Sequence, residues 1–94
     1  MDKHSFVAFD LGAESGRTIL GSVEKNQLTL QQITRFPNEM KPIGGHLHWD
    51  IDGLFGNMKE GLRACPHLGI NLQGIGVDTW GVDYGLLGKE GALL

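Results

Sequence analysis

The pattern of apolar and polar positions in the first third of the chain predicts three consecutive strands. Residues 5–10, "SFVAFD", are apolar on both faces of an extended chain, as in a strand buried inside a sheet. Residues 17–23 predict a second strand, residues 24–27 a hairpin turn, and residues 28–36 a third strand. We therefore expect the three strands to pair antiparallel to one another.

The middle of the chain predicts a loop followed by one helix. Residues 37–49 contain two prolines and a pair of glycines, which favours a loop with a short extended piece at 46–49. Asp50 then provides an N-cap for a helix with one apolar face. That face consists of Ile51, Leu54, Phe55, Met58 and Leu62. Pro66 is expected to end the helix.

The last part of the chain predicts two more strands. Residues 72–78, "LQGIGVD", form the fourth strand, and residues 81–87, "GVDYGLL", form the fifth. Residues 88–91 predict a hairpin turn, after which a returning strand would begin at 92–94. The predicted order is βββαββ, an α/β arrangement with one helix against a mixed sheet.

This arrangement leaves one face of the sheet uncovered. One helix cannot cover both faces of five strands, and residues 5–10 and 74–78 are apolar on both sides. Nothing else in the 94 residues supplies a second layer, and Leu94 falls within an expected strand. We therefore expect residues 1–94 to be the N-terminal segment of an incomplete domain in a longer protein.

Composition narrows the class of protein. With 40% hydrophobic and 20% charged residues, the chain is expected to be globular. The net charge of -3 and the scattered basic residues argue against a nucleic-acid partner. Cys65 is the single cysteine, and no apolar run approaches the roughly 20 residues of a membrane helix. Because a signal peptide is also missing, we expect a cytoplasmic protein without a membrane partner.

A glycine-containing loop, "DLGAESGR", follows the first strand. Gly12 and Gly16 allow a tight turn whose N–H groups face an anion. Ser15 adds a hydroxyl donor, Arg17 can bind a phosphate through two N–H groups, and Asp10 can hold Mg²⁺. The predicted phosphate site therefore consists of Ala13, Glu14, Ser15, Gly16 and Arg17. The alternative is an ordinary glycine-rich turn with Asp10 as a cap.

Glu14 is the unusual member of this loop, because a carboxylate repels phosphate. Its side chain can face solvent while its N–H faces the anion, pair with Arg17, or help to hold a metal ion. We favour the first alternative, because backbone N–H groups bind anions whatever the side chain is.

Three blocks carry a family resemblance: "DLGAESGR" at 10–17, "WDID" at 49–52 and "IGVDTWGVDYGLL" at 75–87. Together they resemble the start of the rhamnulokinases, within the FGGY carbohydrate-kinase family. The resemblance implies a ribonuclease-H-like fold, as in sugar kinases, actin and Hsp70. It also implies a much longer chain with two such domains, and ATP and Mg²⁺ in the cleft between them. The catalytic Asp and the adenosine pocket would lie in a later segment.

The resemblance places sugar contacts around Gly81. The lack of a side chain at Gly81 lets a hydroxylated ligand approach the backbone, Trp80 offers a flat apolar face, and Asp83 can accept hydrogen bonds. The alternative is a bulged hairpin at the sheet edge with Trp80 in the core.

The implied reaction is phosphoryl transfer from ATP to L-rhamnulose, which gives L-rhamnulose 1-phosphate. Two alternatives stay open: an FGGY kinase for another ketose such as fuculose or xylulose, and a non-catalytic nucleotide-binding domain of the actin or Hsp70 type. Because the catalytic base and half of the cleft would be missing, we expect the 94 residues alone to be inactive.

Overall fold

A computed structural model describes residues 3–94 as six strands and one helix. The elements are β1 (His4–Leu11), β2 (Ser15–Glu24), β3 (Gln27–Pro37), β4 (Met40–Ile43), β5 (His46–Trp49), α1 (Ile51–His67) and β6 (Leu72–Thr79). Four strands form one sheet in the order β3-β2-β1-β6, and β4 and β5 form a separate hairpin. The sheet is mixed, because β1, β2 and β3 pair antiparallel whereas β6 runs parallel to β1.

The first half of the predicted order is confirmed. Strands β1 to β3 lie close to their predicted bounds and pair antiparallel, as expected. The turn between β2 and β3 passes through Lys25 and Asn26, whose φ angles are 52° and 62°. Asparagine tolerates this left-handed conformation well, which makes it suitable for a two-residue hairpin turn.

The core lies between one face of the sheet and α1. Its buried cluster consists of Val7, Phe9, Leu11 and Phe36, and the partly buried Leu54, Met58, Leu62 and Leu72 pack against it. The helix comes closest to β2 at Gly61, where an added Cβ would lie 2.9 Å from Thr18 Cβ. Glycine at this position therefore allows the helix to approach the sheet closely.

Part of the predicted helix face is outside this core. Phe55 is 59% exposed, and its ring lies under the Lys59 ammonium group at 4.9 Å. Ile51 is also exposed. The side chains that pack inwards are Leu54, Met58 and Leu62, each four residues after the one before, so the buried stripe is narrower than the apolar pattern indicated.

The face of the sheet opposite α1 carries exposed apolar side chains. Phe6 is 42% exposed, and Leu28 and Leu30, which lean over Gly21, are 64% and 70% exposed. Within residues 3–94 no helix covers this face. The further layer expected there remains a prediction.

The ends of α1 follow local chemistry. The Asp50 carboxylate accepts a hydrogen bond from the Gly53 N–H over 3.1 Å, which confirms the predicted N-cap. The helix continues one residue past Pro66 and ends at His67. Pro66 has no N–H to donate to the carbonyl four residues earlier, which favours the end of the helix at this point, and Gly69, at a φ of 72°, lets the chain leave the helix.

Two predictions for irregular regions are wrong. The expected loop at 37–49 is largely the β4–β5 hairpin, which turns at Gly44 and Gly45, whereas the short extended piece expected at 46–49 is confirmed as β5. The strands expected at 81–87 and 92–94 do not form; Leu87 and Leu93 share one isolated bridge instead. Apolar alternation is not sufficient for a strand, because a strand also needs a hydrogen-bonding neighbour.

The chain offers no candidate for membrane insertion by a helix within residues 3–94, because α1 is neither long nor apolar enough.

Candidate functional site

Two aspartates and one arginine meet where β1, β2 and β6 come together. Asp10 is the register partner of Arg17 on β2 and of Asp78 on β6. The Arg17 guanidinium donates to Asp10 Oδ2 from Nη2 over 2.8 Å and from Nε over 3.2 Å. Parallel pairing of β1 with β6 therefore places two carboxyl groups beside one guanidinium.

The two carboxyl groups are register partners on β1 and β6, and each shifts the pKa of the other in the opposite direction. The pKa of Asp10 is lowered by its hydrogen bonds with Asp78 and with Arg17. The pKa of Asp78 is raised by its hydrogen bond with Asp10, by desolvation and by the nearby negative charge. Because Arg17 donates hydrogen bonds to Asp10, the pKa of Asp10 lies below that of Asp78, and Asp10 gives up its proton first.

Sequence reasoning missed Asp78 as a member of this cluster. A signal was present, because the two most apolar predicted strands, "SFVAFD" and "GIGVD", both end in aspartate. If the two strands pair in parallel, their last residues must meet at one sheet edge. The sequence does not state that pairing, since β1 and β6 are separated by more than 60 residues.

The predicted phosphate loop, residues 10–17, is closed by hydrogen bonds between its own residues. The Gly12 N–H donates to the Ser15 carbonyl over 2.9 Å, and Arg17 Nη1 donates to Ser15 Oγ over 3.3 Å. Gly16 is buried in β2 below the Phe36 ring, where an added Cβ would lie 2.5 Å from Cζ. Its lack of a side chain is therefore required for packing rather than for a turn.

Glu14 lies at the exposed tip of the loop. The alternative in which it pairs with Arg17 is not formed, because the Arg17 guanidinium donates to Asp10 and Ser15. Exposure agrees with the favoured alternative, in which the side chain faces solvent. Ala13, another residue of the predicted phosphate site, is also exposed.

A residue outside the loop also holds it. Asn38, directly after β3, is 6% exposed. Its backbone N–H donates to the Glu14 carbonyl over 3.0 Å, and its Nδ2 donates to the Gly12 carbonyl over 2.8 Å. Sequence reasoning placed Asn38 in a solvated loop, and no local pattern distinguishes a buried asparagine from an exposed one there.

The second and third sequence blocks meet at Trp49. Its indole Nε1 donates to Asp83 Oδ1 over 3.0 Å. The next residue, Asp50, caps α1 and pairs with Lys41 over 3.2 Å, and its pKa is lowered by the Gly53 N–H and by Lys41. The "WDID" block thus begins the helix and also contacts the predicted sugar residue.

Residues 80–83 form a turn rather than a strand. The Asp83 N–H donates to the Trp80 carbonyl over 2.9 Å. Trp80 is 51% exposed, so the alternative that places it in the core is wrong. A Cβ added at Gly81 would meet no atom within 4 Å. Packing within residues 3–94 therefore does not require glycine there.

The site can supply only part of a metal's coordination. Among residues 3–94, no three His, Cys, Asp or Glu side chains are grouped closely enough to hold a metal ion. Asp10 and Asp78 offer carboxylate oxygens, which are the ligands that Mg²⁺ prefers, and Mg²⁺ usually keeps several waters. This donor set fits a magnesium ion that is bound mainly through water and phosphate.

No family model matches the chain. Curated relatives do match over nearly all of it: the chain is 52% identical over 92 residues to a rhamnulokinase of Bacteroides thetaiotaomicron, across 98% of this chain and 19% of that protein. It is 48% identical over 87 residues to a rhamnulokinase of Yersinia pestis, across 90% and 18%. The chain thus spans about a fifth of the length of these relatives.

Among solved structures, the chain resembles a Ppx/GppA family member from Aquifex aeolicus. The TM-score is 0.60 at 13% identity, over 83% of this chain and 26% of that one. The likeness at this identity concerns the fold alone. It confirms the predicted α/β class, because that protein has the ribonuclease-H-like fold of the actin type. The sequence matches confirm the family resemblance as well: along 90–98% of its length, the chain is similar to the N-terminal part of rhamnulokinases.

Proposed function

We propose that this chain is the N-terminal part of a rhamnulokinase, which transfers a phosphoryl group from ATP to L-rhamnulose and forms L-rhamnulose 1-phosphate. The observation that carries the proposal is the meeting of Asp10, Asp78 and Arg17 beside the phosphate loop. The 52% identity to a rhamnulokinase supports the choice of sugar.

In this proposal the phosphate loop binds the phosphates of ATP. Within residues 3–94 no backbone carbonyl accepts from the N–H groups of Ala13 or Glu14, so these donors are available to an anion. Ser15 offers its hydroxyl group. Arg17 holds Asp10 through one side of its guanidinium and offers its remaining N–H donors to a phosphate oxygen.

Asp10, together with Asp78, would hold Mg²⁺. When bound, the ion offsets negative charge on the phosphoryl group during transfer. Arg17 keeps Asp10 ionised and oriented, because it donates two hydrogen bonds to a single carboxylate oxygen. This chain's own contribution is therefore a preorganised cluster of charges at the edge of the sheet.

The sugar would lie against residues 80–83. Trp49 occupies Asp83 Oδ1, which orients the carboxylate and leaves Oδ2 to accept from a sugar hydroxyl. Open space at Gly81 lets the ligand approach the backbone, and the half-exposed Trp80 ring can cover its apolar side. No general base for the sugar hydroxyl is assigned in this chain, and we expect it in the region of the relatives that the chain does not span.

The alternatives differ in what they require of residues 80–83. Another ketose kinase would use the same phosphate loop with different sugar contacts. A non-catalytic nucleotide-binding domain of the actin or Hsp70 type would need no sugar contacts at all. The Trp49–Asp83 hydrogen bond, next to an open glycine, favours a sugar site over such a domain.

A coupled ADP-release assay on the full-length protein, screened across ketoses, tests the proposal. We expect turnover with L-rhamnulose well above that with fuculose or xylulose. The 94-residue chain alone is the matched control and should give no turnover. Equal rates on all ketoses, or none on rhamnulose, would contradict the assignment.

A further inference from the structure

One buried residue holds the carbonyl side of the phosphate loop. Asn38 donates to the Glu14 carbonyl from its backbone and to the Gly12 carbonyl from its side chain, over 3.0 and 2.8 Å. Both carbonyls are therefore directed towards the end of β3. A single residue outside the loop thus sets the direction of two of its peptide groups, one through its backbone and one through its side chain.

The orientation of the Asn38 amide follows from its partner. The Gly12 carbonyl can only accept, so the amide must present its NH₂ group to it. The amide oxygen Oδ1 is then buried and accepts no hydrogen bond within residues 3–94. An unpaired buried acceptor is unfavourable, and such groups occur where the position of a polar group matters more than stability.

The opposite side of the loop carries the anion-binding donors. The Ala13 and Glu14 N–H groups have no backbone acceptor within the region the structure describes. Successive N–H groups bind an anion when the peptide planes between them are fixed in a concave arrangement. Because a peptide plane carries its carbonyl and its N–H on opposite edges, holding the carbonyls of Gly12 and Glu14 also orients the N–H groups of Ala13 and Ser15. The plane that carries the Glu14 N–H lies between these two fixed planes.

We propose that Asn38 is the positioning residue of the phosphate loop, which it preorganises to bind the phosphates of a nucleoside triphosphate. The inference rests on the proposed function and assigns a role to a residue outside the loop. Within residues 3–94, Asn38 shares no hydrogen bond with Trp49 or Asp83, which hydrogen-bond to each other. Its loss should therefore weaken nucleotide binding and leave sugar binding unchanged.

Asn38→Asp in the full-length protein tests this inference. The variant keeps the shape of the side chain but places an acceptor against the Gly12 carbonyl. We expect the Kd for MgATP, measured by calorimetry, to rise about tenfold or more, as for a lost buried hydrogen bond. The KM for the sugar should stay within about twofold. The control is Asn71→Asp, the same chemical change at an exposed position between α1 and β6.

An unchanged Kd for MgATP in Asn38→Asp, or an equal weakening of nucleotide and sugar binding, would overturn the inference. If the variant does not fold, Asn38→Ala removes the donor without adding a charge and is judged by the same criteria. A wild-type protein that binds MgATP but phosphorylates no ketose would contradict the proposed function. The role of Asn38 would still be decided by the Kd for MgATP.

Discussion

The two halves of the candidate site are held in different ways. The phosphate loop lies between paired strands, with Gly16 buried below Phe36 and two carbonyls held by Asn38. Residues 80–94 contain no strand, and most of their apolar side chains are exposed, as with Tyr84 at 82% and Leu87 at 66%. The side-chain hydrogen bond from Trp49 to Asp83 ties this segment to the rest of the molecule.

This difference indicates which half the chain can build by itself. The contacts described for the predicted phosphate loop come from β1, β2, β3 and Asn38, all within residues 3–94. The predicted sugar half, residues 80–94, has exposed apolar side chains, and an added Cβ at Gly81 would meet no atom within 4 Å. In the proposed kinase, segments outside this chain would complete that half.

The largest expected effect is on the packing of α1 against β2. Gly61→Ala would push a methyl group into Thr18 of β2, so we expect a loss of about 1–3 kcal/mol in the free energy of unfolding of the full-length protein. Gly56→Ala is the matched control in the same helix, because an added Cβ there meets nothing within 4 Å. It should stabilise by up to about 1 kcal/mol through helix propensity. Chemical denaturation measures both, and equal effects would show that the close helix-sheet approach does not constrain residue 61.

The second-largest effect is expected at the hydrogen bond from Trp49 to Asp83, which connects residues 80–94 to the rest of the molecule. Trp49→Phe removes the indole N–H but keeps an aromatic ring, so Asp83 loses the donor that orients it. A hydrogen bond to a charged group contributes about 1.5–3 kcal/mol, so the KM for the sugar should rise roughly tenfold or more. The KM for ATP should not change.

Tyr84→Phe is the control for Trp49→Phe, because it removes a hydroxyl group from an 82% exposed side chain in the same segment. It should leave both KM values unchanged. A rise in the KM for ATP with Trp49→Phe would show that the two halves of the candidate site are coupled. This result would contradict the conclusion that each half is held separately.

Gly81→Ala separates ligand approach from packing. Because an added Cβ meets no protein atom within 4 Å, the free energy of unfolding should stay within about 0.5 kcal/mol. The KM for the sugar should nevertheless rise several-fold if the ligand approaches the backbone at this turn. Gly56→Ala, also in open space but on the helix, should leave the KM unchanged. A KM unaffected by Gly81→Ala would remove Gly81 from the sugar site.

The smallest effect is expected at Glu14. Its side chain is exposed and Arg17 is paired with Asp10, so Glu14→Ser should leave the Kd for MgATP within about twofold. Glu24→Ser, at the exposed end of β2, controls for the loss of one negative charge. A marked loss of Mg²⁺-dependence in Glu14→Ser, measured by titrating the metal at constant ATP, would instead assign the carboxylate to the metal.

Local patterns predicted the elements whose signals are complete within a short stretch. Strands β1 to β3 have the right period and a two-residue turn at Lys25 and Asn26, and α1 has a capping aspartate. The strand predicted at 81–87 does not form. Alternation of apolar and polar residues shows that a segment is suitable for a sheet, but it does not supply a neighbouring strand to pair with. The loop predicted at 37–49 is wrong for a different reason: both strands of the β4–β5 hairpin lie within that stretch, but its two prolines and its pair of glycines favoured a loop.

The same distinction between local and long-range signals applies to the residues of the candidate site. Asp10, Ser15 and Arg17 were predicted because they follow one another in a single loop, whereas Asp78 and Asn38 join the site through contacts between distant segments. Gly16 was predicted to allow a tight turn, but it lies in β2, where the Phe36 ring on β3 excludes a side chain.

By itself, the sequence determined the order of the first strands, the capped helix and the residue types of a phosphate loop, because each depends on neighbours within a few positions. The tertiary structure alone decided that Asp78 lies beside Asp10, that Trp49 holds Asp83 and that Asn38 holds the loop. These contacts depend on which strands pair and on where the chain returns. Short-range sequence patterns determine neither, because many strand pairings satisfy the same alternation of apolar and polar residues.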